Sequence, residues 1–187
     1  MSNYFRENLN RSHELELKYL TNLYEHLYGN NWTMVHGHNL LAKALQKKEH
    51  VDAIVQTNTG EFKYIEHKFT FYNEENEKKH PNRRNLTMET VLNVELNTPG
   101  WVKTTKADYI IFGFEQAPQN KCLEAYLIEW SKLKEWFNDH KHEYNPPYTT
   151  IGRKYNSTFY AIPIAYIEKQ IKIWKYNIYS DGTIKTL

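Results

Sequence analysis

Three side chains between His50 and Thr70 have the types and spacing for metal-assisted chemistry: Asp52, Glu66 and Lys68. Two runs of strand-forming residues flank Asn58-Thr59-Gly60, a turn signal with glycine where a positive φ is expected. A hairpin centred on Thr59 sets Thr57 against Glu61 and Asp52 against Glu66. Side chains alternate along a strand, so Phe62, Tyr64, Glu66 and Lys68 share one face. A glycine bulge in the turn would slip this register by one residue. Opposed carboxylates repel unless something neutralises them. Lys68 is one neutraliser. A hard divalent cation is another, because Mg²⁺ takes one or two carboxylates and keeps waters or phosphate oxygens. A lysine beside such an ion can orient or deprotonate water, or steady developing negative charge. These are the parts of a metal-assisted phosphodiester hydrolase. The same residues also suit an ordinary surface hairpin with a cross-strand ion pair.

The elements around the hairpin must position these groups. Residues 1–10 are polar and read as a fraying terminus. Arg11 to Tyr28 carries a helical period, with Ser12 as N-cap and Gly29 as the stop. At about 100° per residue, Glu16 falls inside the apolar arc of Leu15, Tyr19, Leu20, Leu23 and Leu27. A carboxylate on a buried face needs a partner: either a metal ion, or a Tyr or Lys at the rim. Asn39 to Lys48 reads as a second helix with Lys43, Lys47 and Lys48 outward; these cations could meet phosphates or simply be solvated. His36 and His38 flank a glycine with no third ligand in view and read as polar loop residues.

Tyr72 to Asn85 is charged, contains Pro81 and lacks a period, which predicts a surface loop. Its Lys78, Lys79, Arg83 and Arg84 form the densest basic cluster of the chain and are candidate contacts to a DNA backbone. Leu86 to Leu96 alternates as a strand, with Glu95 near its end as a second-tier site residue. Ala107 to Phe114 is an unbroken apolar run, as a buried central strand would be, and Leu123 to Trp130 reads as another strand. Ser131 is placed to cap a helix over Lys132 to His142 with Leu133, Trp136 and Phe137 inward. Arg153 and Lys154 lie in a polar turn and are further candidate DNA contacts. Thr158 to Ile167 reads as a strand whose Pro163 marks an edge or an end. Two last runs, Ile171 to Ile178 and Thr183 to Leu187, form a hairpin around Ser180-Asp181-Gly182. Together they predict an α/β fold, α+β in stricter terms, with a mixed central sheet flanked by helices.

Asp52, thirteen residues, then Glu66-His67-Lys68 resembles the core of the PD-(D/E)XK nuclease superfamily, with Val51 where a proline usually stands. The segments from Val94 to Trp101 and from Lys106 to Phe112, and the strand and Pro-Ile at Thr158 to Ile164, are similar to the corresponding parts of small nucleases of this group. The resemblance covers roughly residues 10 to 165. It implies a restriction-endonuclease-like fold, a metal site of Asp52, Glu66 and the His67 main-chain carbonyl, and Lys68 assisting the attacking water. Glu16 matches the upstream helical glutamate of many members. The implied activity is a Mg²⁺-dependent DNA endonuclease of restriction or phage and mobile-element type, with Mn²⁺ able to substitute. A Holliday-junction resolvase is the nearer competitor, although resolvases tend to be more basic. A catalytically inactive DNA-binding or interaction module on the same scaffold is the reading of another class.

With 187 residues, 40% hydrophobic and 15% aromatic, the chain suits one folded domain over residues 1–187. Its net charge of +2 neither demands nor excludes a polyanion, so DNA contacts would depend on local clusters. The single cysteine, Cys122, sits in an apolar run and rules out an intramolecular disulfide and a cysteine-based metal cluster. No leader and no membrane-length apolar run appears, which predicts a soluble cytoplasmic protein with no membrane partner. A surface rich in Tyr and Trp allows a homodimer without requiring one.

Overall fold

The computed structural model describes residues 3–35, 49–80, 84–144, 147–149 and 156–187. The chain opens on a helix in three parts: α1 (Asn3–Leu15), a π-helical turn (Glu16–Leu20) and α2 (Thr21–Tyr28), ended by Gly29 as expected. It begins at Asn3 rather than Arg11, so Ser12 lies within it and caps nothing. The wide turn is closed by the Thr21 N–H bonding the Glu16 carbonyl, five residues back. Such a turn disturbs the usual carbonyl pairing, and the Thr21 hydroxyl donates to the Leu17 carbonyl at 2.8 Å. Glu16 is buried among Leu15, Tyr19 and Leu20, as the apolar arc predicts.

Strand β1 (Trp32–Met34) leads through the Asn39–Lys48 segment, which lies outside the described residues together with His36 and His38, to β2 (Ala53–Gln56) and β3 (Phe62–Thr70). Ala53 pairs with Ile65 and Gln56 with Phe62, the register expected from a turn centred on Thr59. Gly60 supplies the required positive φ of 84°. The expected loop after β3 is instead partly helical: α3 spans Glu74–Lys79. It has no apolar face, but Asn73 caps it by accepting from the Asn76 N–H. Glu74, Glu75 and Glu77 in the first turn and Lys78 and Lys79 in the last complement the helix dipole.

The chain then forms β4 (Asn85–Asn93), β5 (Thr98–Pro99) and the short α4 (Trp101–Thr104) before the central pair β6 (Tyr109–Glu115) and β7 (Cys122–Glu129). Helix α5 covers Trp130–His140; Ser131 is inside it, bonding Glu129, and the N-cap residue is Glu129. After β8 (Tyr148–Thr149) and β9 (Thr158–Pro163), the expected long strand turns into α6 (Ile164–Ile167) directly after Pro163. The hairpin β10 (Ile173–Tyr179) and β11 (Ile184–Thr186) closes the chain as predicted.

The fold is thus mixed α/β, with a large sheet ordered β1-β2-β3-β6-β7-β10-β11 and a second sheet ordered β5-β4-β9-β8. The β3–β6 pair is parallel and the other neighbours are antiparallel, which makes the large sheet mixed. Alternation splits its side chains between two cores. Ile65, Ile111, Ala125 and Leu127 pack against Leu20, Leu23 and Tyr24 of the first helix. Ile110, Phe112 and Ile128 pack on the opposite side against Leu133 and Phe137 of α5 and Met88 and Ile162 of the second sheet. Among the described residues no helix is long and apolar enough to cross a membrane.

Candidate metal site on the two faces of β3

Asp52 sits where the β2–β3 ladder ends. Its main-chain N–H bonds the Ile65 carbonyl at 2.8 Å and its carbonyl accepts from Val35 at 2.7 Å, so its backbone is pinned from both sides. Its side-chain Oδ2 accepts from the main-chain N–H of His67 at 2.8 Å. A carboxylate fixed at a strand end in this way can be approached from either face of β3.

The first face carries Glu66 and Lys68. Glu66 is only 3% exposed and the Lys68 ammonium bonds it directly. Burial pushes the Glu66 carboxyl up to about 7; Lys68 opposes this and the neighbouring Asp52 carboxylate adds to it. A protonated Glu66 can donate to Asp52, so the two carboxyls rest together beside the Lys68 ammonium. Burial alone would lower Lys68, but Glu66 and Asp52 outweigh it and hold the ammonium above its ordinary range. Trp101 lies 5.2 Å beneath that ammonium. Trp101 is delivered by Gly100, where any Cβ would collide with the Glu89 main-chain carbonyl, so only glycine allows α4 this close to β4. Burial raises Glu89, opposed by Lys68 and by the Trp101 N–H.

His50 completes this face. Its Nδ1 is 3.8 Å from Glu66 Oε1, and it occupies the left-handed region with φ of 51°. Its carbonyl accepts from the Thr105 hydroxyl, which ties it to the end of α4. Burial first, then Lys68, lowers its pKa and keeps the imidazole neutral.

The second face carries His67, whose ring lies beneath the first helix. Nδ1 bonds Glu16 Oε1 at 2.8 Å and Nε2 bonds the Tyr24 hydroxyl at 2.6 Å. Burial works against a charged ring, but Glu16, Asp52 and Glu66 together raise its pKa. Burial, Asp52 and Glu16 push the Tyr24 phenol well above its ordinary value, so it keeps its proton. Glu16, Asp52 and His67 bring ligand atoms within 4.8 Å of one another and form a largely buried group that could hold a metal ion. Both ring nitrogens of His67 are already hydrogen-bonded, so coordination through the ring would displace Glu16 or Tyr24.

The structure therefore brings Asp52, Glu66, Lys68, His67 and Glu16 together. The His67 main-chain N–H bonds Asp52, and its ring lies with Asp52 and Glu16. Glu95 stands exposed in the turn over residues 94–97; the β4 carboxyl beside Lys68 is Glu89. Of the basic cluster, Lys78 and Lys79 are exposed, whereas Arg84 is turned inward. Lys78 pairs with Glu74 at 2.6 Å, and Arg84, only 13% exposed, bonds Glu124 at 2.9 Å and lies over Phe114. Arg83, Arg153 and Lys154 lie outside the described residues. Sequence reasoning missed Tyr24, His50, Glu89 and Trp101. Only His50 and Tyr24 had a local signal, from standing next to Asp52 and on the helix face of Glu16. No protein-family model, curated protein or solved structure matches this chain.

Proposed function

We propose that the protein is a divalent-metal-dependent DNA endonuclease of the PD-(D/E)XK type, with Mg²⁺ as the working ion and Mn²⁺ as a substitute. The observation that carries this reading is the buried Glu66 carboxyl beside Asp52, raised to about 7, with the Lys68 ammonium on it. Hard carboxylate oxygens suit Mg²⁺, and Asp52 and Glu66 would hold it, with Glu16 within reach of Asp52. A bound divalent ion would supply Lewis-acid polarisation of the scissile phosphate and acidify water. Lys68 stays charged, so it orients a water and stabilises negative charge on the phosphate rather than acting as a base. His50, held neutral beside Glu66, is the side chain in base form that can take a proton.

DNA is the proposed partner, a homodimer would present two such sites to two strands, and the cytoplasm is the proposed setting. The test is incubation with Mg²⁺ or Mn²⁺ on supercoiled plasmid, linear duplex, single strands, RNA and a four-way junction, beside Lys68→Ala. Discrete DNA fragments that vanish with the variant are expected. Cutting confined to the junction would make it a resolvase. DNA bound and never cut would replace the enzyme with a binding module.

A further inference from the structure

A cavity of about 690 Å³ lies between α3 and the second sheet, lined among others by Thr70, Asn76, Thr87, Tyr148 and Phe159. A second cavity of about 350 Å³ contains Lys68, Trp101, Glu89, Thr70 and Thr87. The two share Thr70 and Thr87, so one groove runs from the Lys68 face of β3 along the second sheet. Cross-strand register builds its floor. Tyr148 is opposite Phe159 and Phe159 is opposite Glu89, which puts all three in one row on one face. Leu86, Met88 and Ile162 take the other face into the core, leaving this one to the groove. Two strand spacings, roughly 10 Å, separate Tyr148 from Glu89 beside Lys68. The Tyr148 ring is stacked on Phe159, 5.7 Å between centroids at 26°, and is 50% exposed.

From this floor we propose that the groove holds an unpaired nucleotide segment, with a base stacked on the Tyr148–Phe159 platform and the adjoining backbone led to Lys68. This deepens the nuclease reading and rests on it for the direction of the strand toward Lys68. Two features select an unpaired strand over a duplex. A flat aromatic platform gains only from a base face that is free, and in a duplex those faces are stacked on one another. The groove wall also carries little unspent positive charge among the described residues: Arg84 is held by Glu124 and Glu77. Duplex binding relies on phosphate neutralisation, whereas stacking needs much less of it. The Asn76 amide lines the same cavity and can meet a base edge.

The test is fluorescence anisotropy in EDTA, which prevents cutting, with a labelled oligothymidylate, an oligouridylate and a matched duplex. Tyr148→Ala should weaken single-strand binding about 5- to 100-fold, the equivalent of one base stack. Tyr148→Phe should restore it, and Tyr166→Ala, which removes an exposed aromatic on α6, should change nothing. Thymidylate and uridylate affinities show whether the segment is DNA or RNA. The inference is overturned if Tyr148→Ala binds within twofold of the wild type, if the duplex binds as tightly as the single strand, or if no oligonucleotide binds. A parallel plasmid digest in Mg²⁺ separates the two claims: cutting without Tyr148-dependent binding leaves the nuclease and removes the groove. Tyr148-dependent binding without cutting does the reverse.

Discussion

On one side of β3, Glu66 and Lys68 share a half-open face with Trp101, His50 and Glu89; on the other, His67 is sealed beneath the first helix with Glu16 and Tyr24. Both faces bury ionisable groups, but they resolve the burial differently. The His67 side matches its groups in a chain of hydrogen bonds: carboxylate to ring nitrogen, ring nitrogen to phenol. The Glu66 side keeps a mismatch, two carboxyls in contact with one raised to about 7. Satisfied polar groups hold a fold in one arrangement, whereas a buried mismatch marks where a ligand would be welcome. Asp52 belongs to both sides, bonded to the His67 amide and adjacent to Glu66.

The largest expected effect is on chemistry at the open face. Lys68→Ala should lower DNA cleavage about 100- to 10,000-fold with circular dichroism unchanged; a variant that cuts at the wild-type rate would remove the distinction between the faces. Next is the pH dependence of stability. Glu66 binds its proton more tightly folded than unfolded, so its contribution is fully present below the ordinary 4.5 and is lost as pH rises to about 7. That 2.5-unit gap corresponds to roughly 3 kcal/mol at most. Urea unfolding at pH 5 and pH 8 in EDTA should show this decline, and Glu66→Gln should reduce it to the part that the raised His67 contributes over the same range. Mg²⁺ should recover stability at pH 8 in the wild type and much less in the variant.

Tyr24→Phe tests the sealed face. Removing the hydroxyl leaves His67 Nε2 without its partner and should cost about 1–3 kcal/mol in urea unfolding. The Mg²⁺-induced rise in melting temperature should survive. Loss of that rise in Glu16→Gln would place the ion among Glu16, Asp52 and His67 instead. The smallest effect is away from both faces: Asn73→Ala removes the α3 cap and should cost about 1 kcal/mol of local stability, read as faster amide exchange at residues 76–79.

The motif hairpin was legible because a turn centred on Thr59 sets every pairing from Gln56 back to Ala53. The buried strands β6 and β7 were legible as long apolar runs. Helix α3 has no apolar stripe, so periodicity passed over it; its cap and charge gradient were the readable signals. The contacts of His67 to Tyr24 and Glu16 span 43 and 51 residues, and no local pattern joins them. Which carboxyl of the 86–96 stretch would meet Lys68 depended on pairing with β9, far along the chain; Glu95 was the second-tier expectation and Glu89 is the one beside Lys68.

The wide turn in the first helix has a genetic corollary. It holds one residue more than a regular turn, so an in-frame deletion of a single codon, such as that for exposed Leu17, would let the helix run on unbroken. The residues before the deletion would keep nearly the same angular place relative to Tyr24, because the wide turn holds its extra residue within one turn. Glu16 would stay over His67, and Leu23 and Tyr24 would keep their places in the core. Three nucleotides could thus be lost from this turn without parting the histidine from its carboxylate.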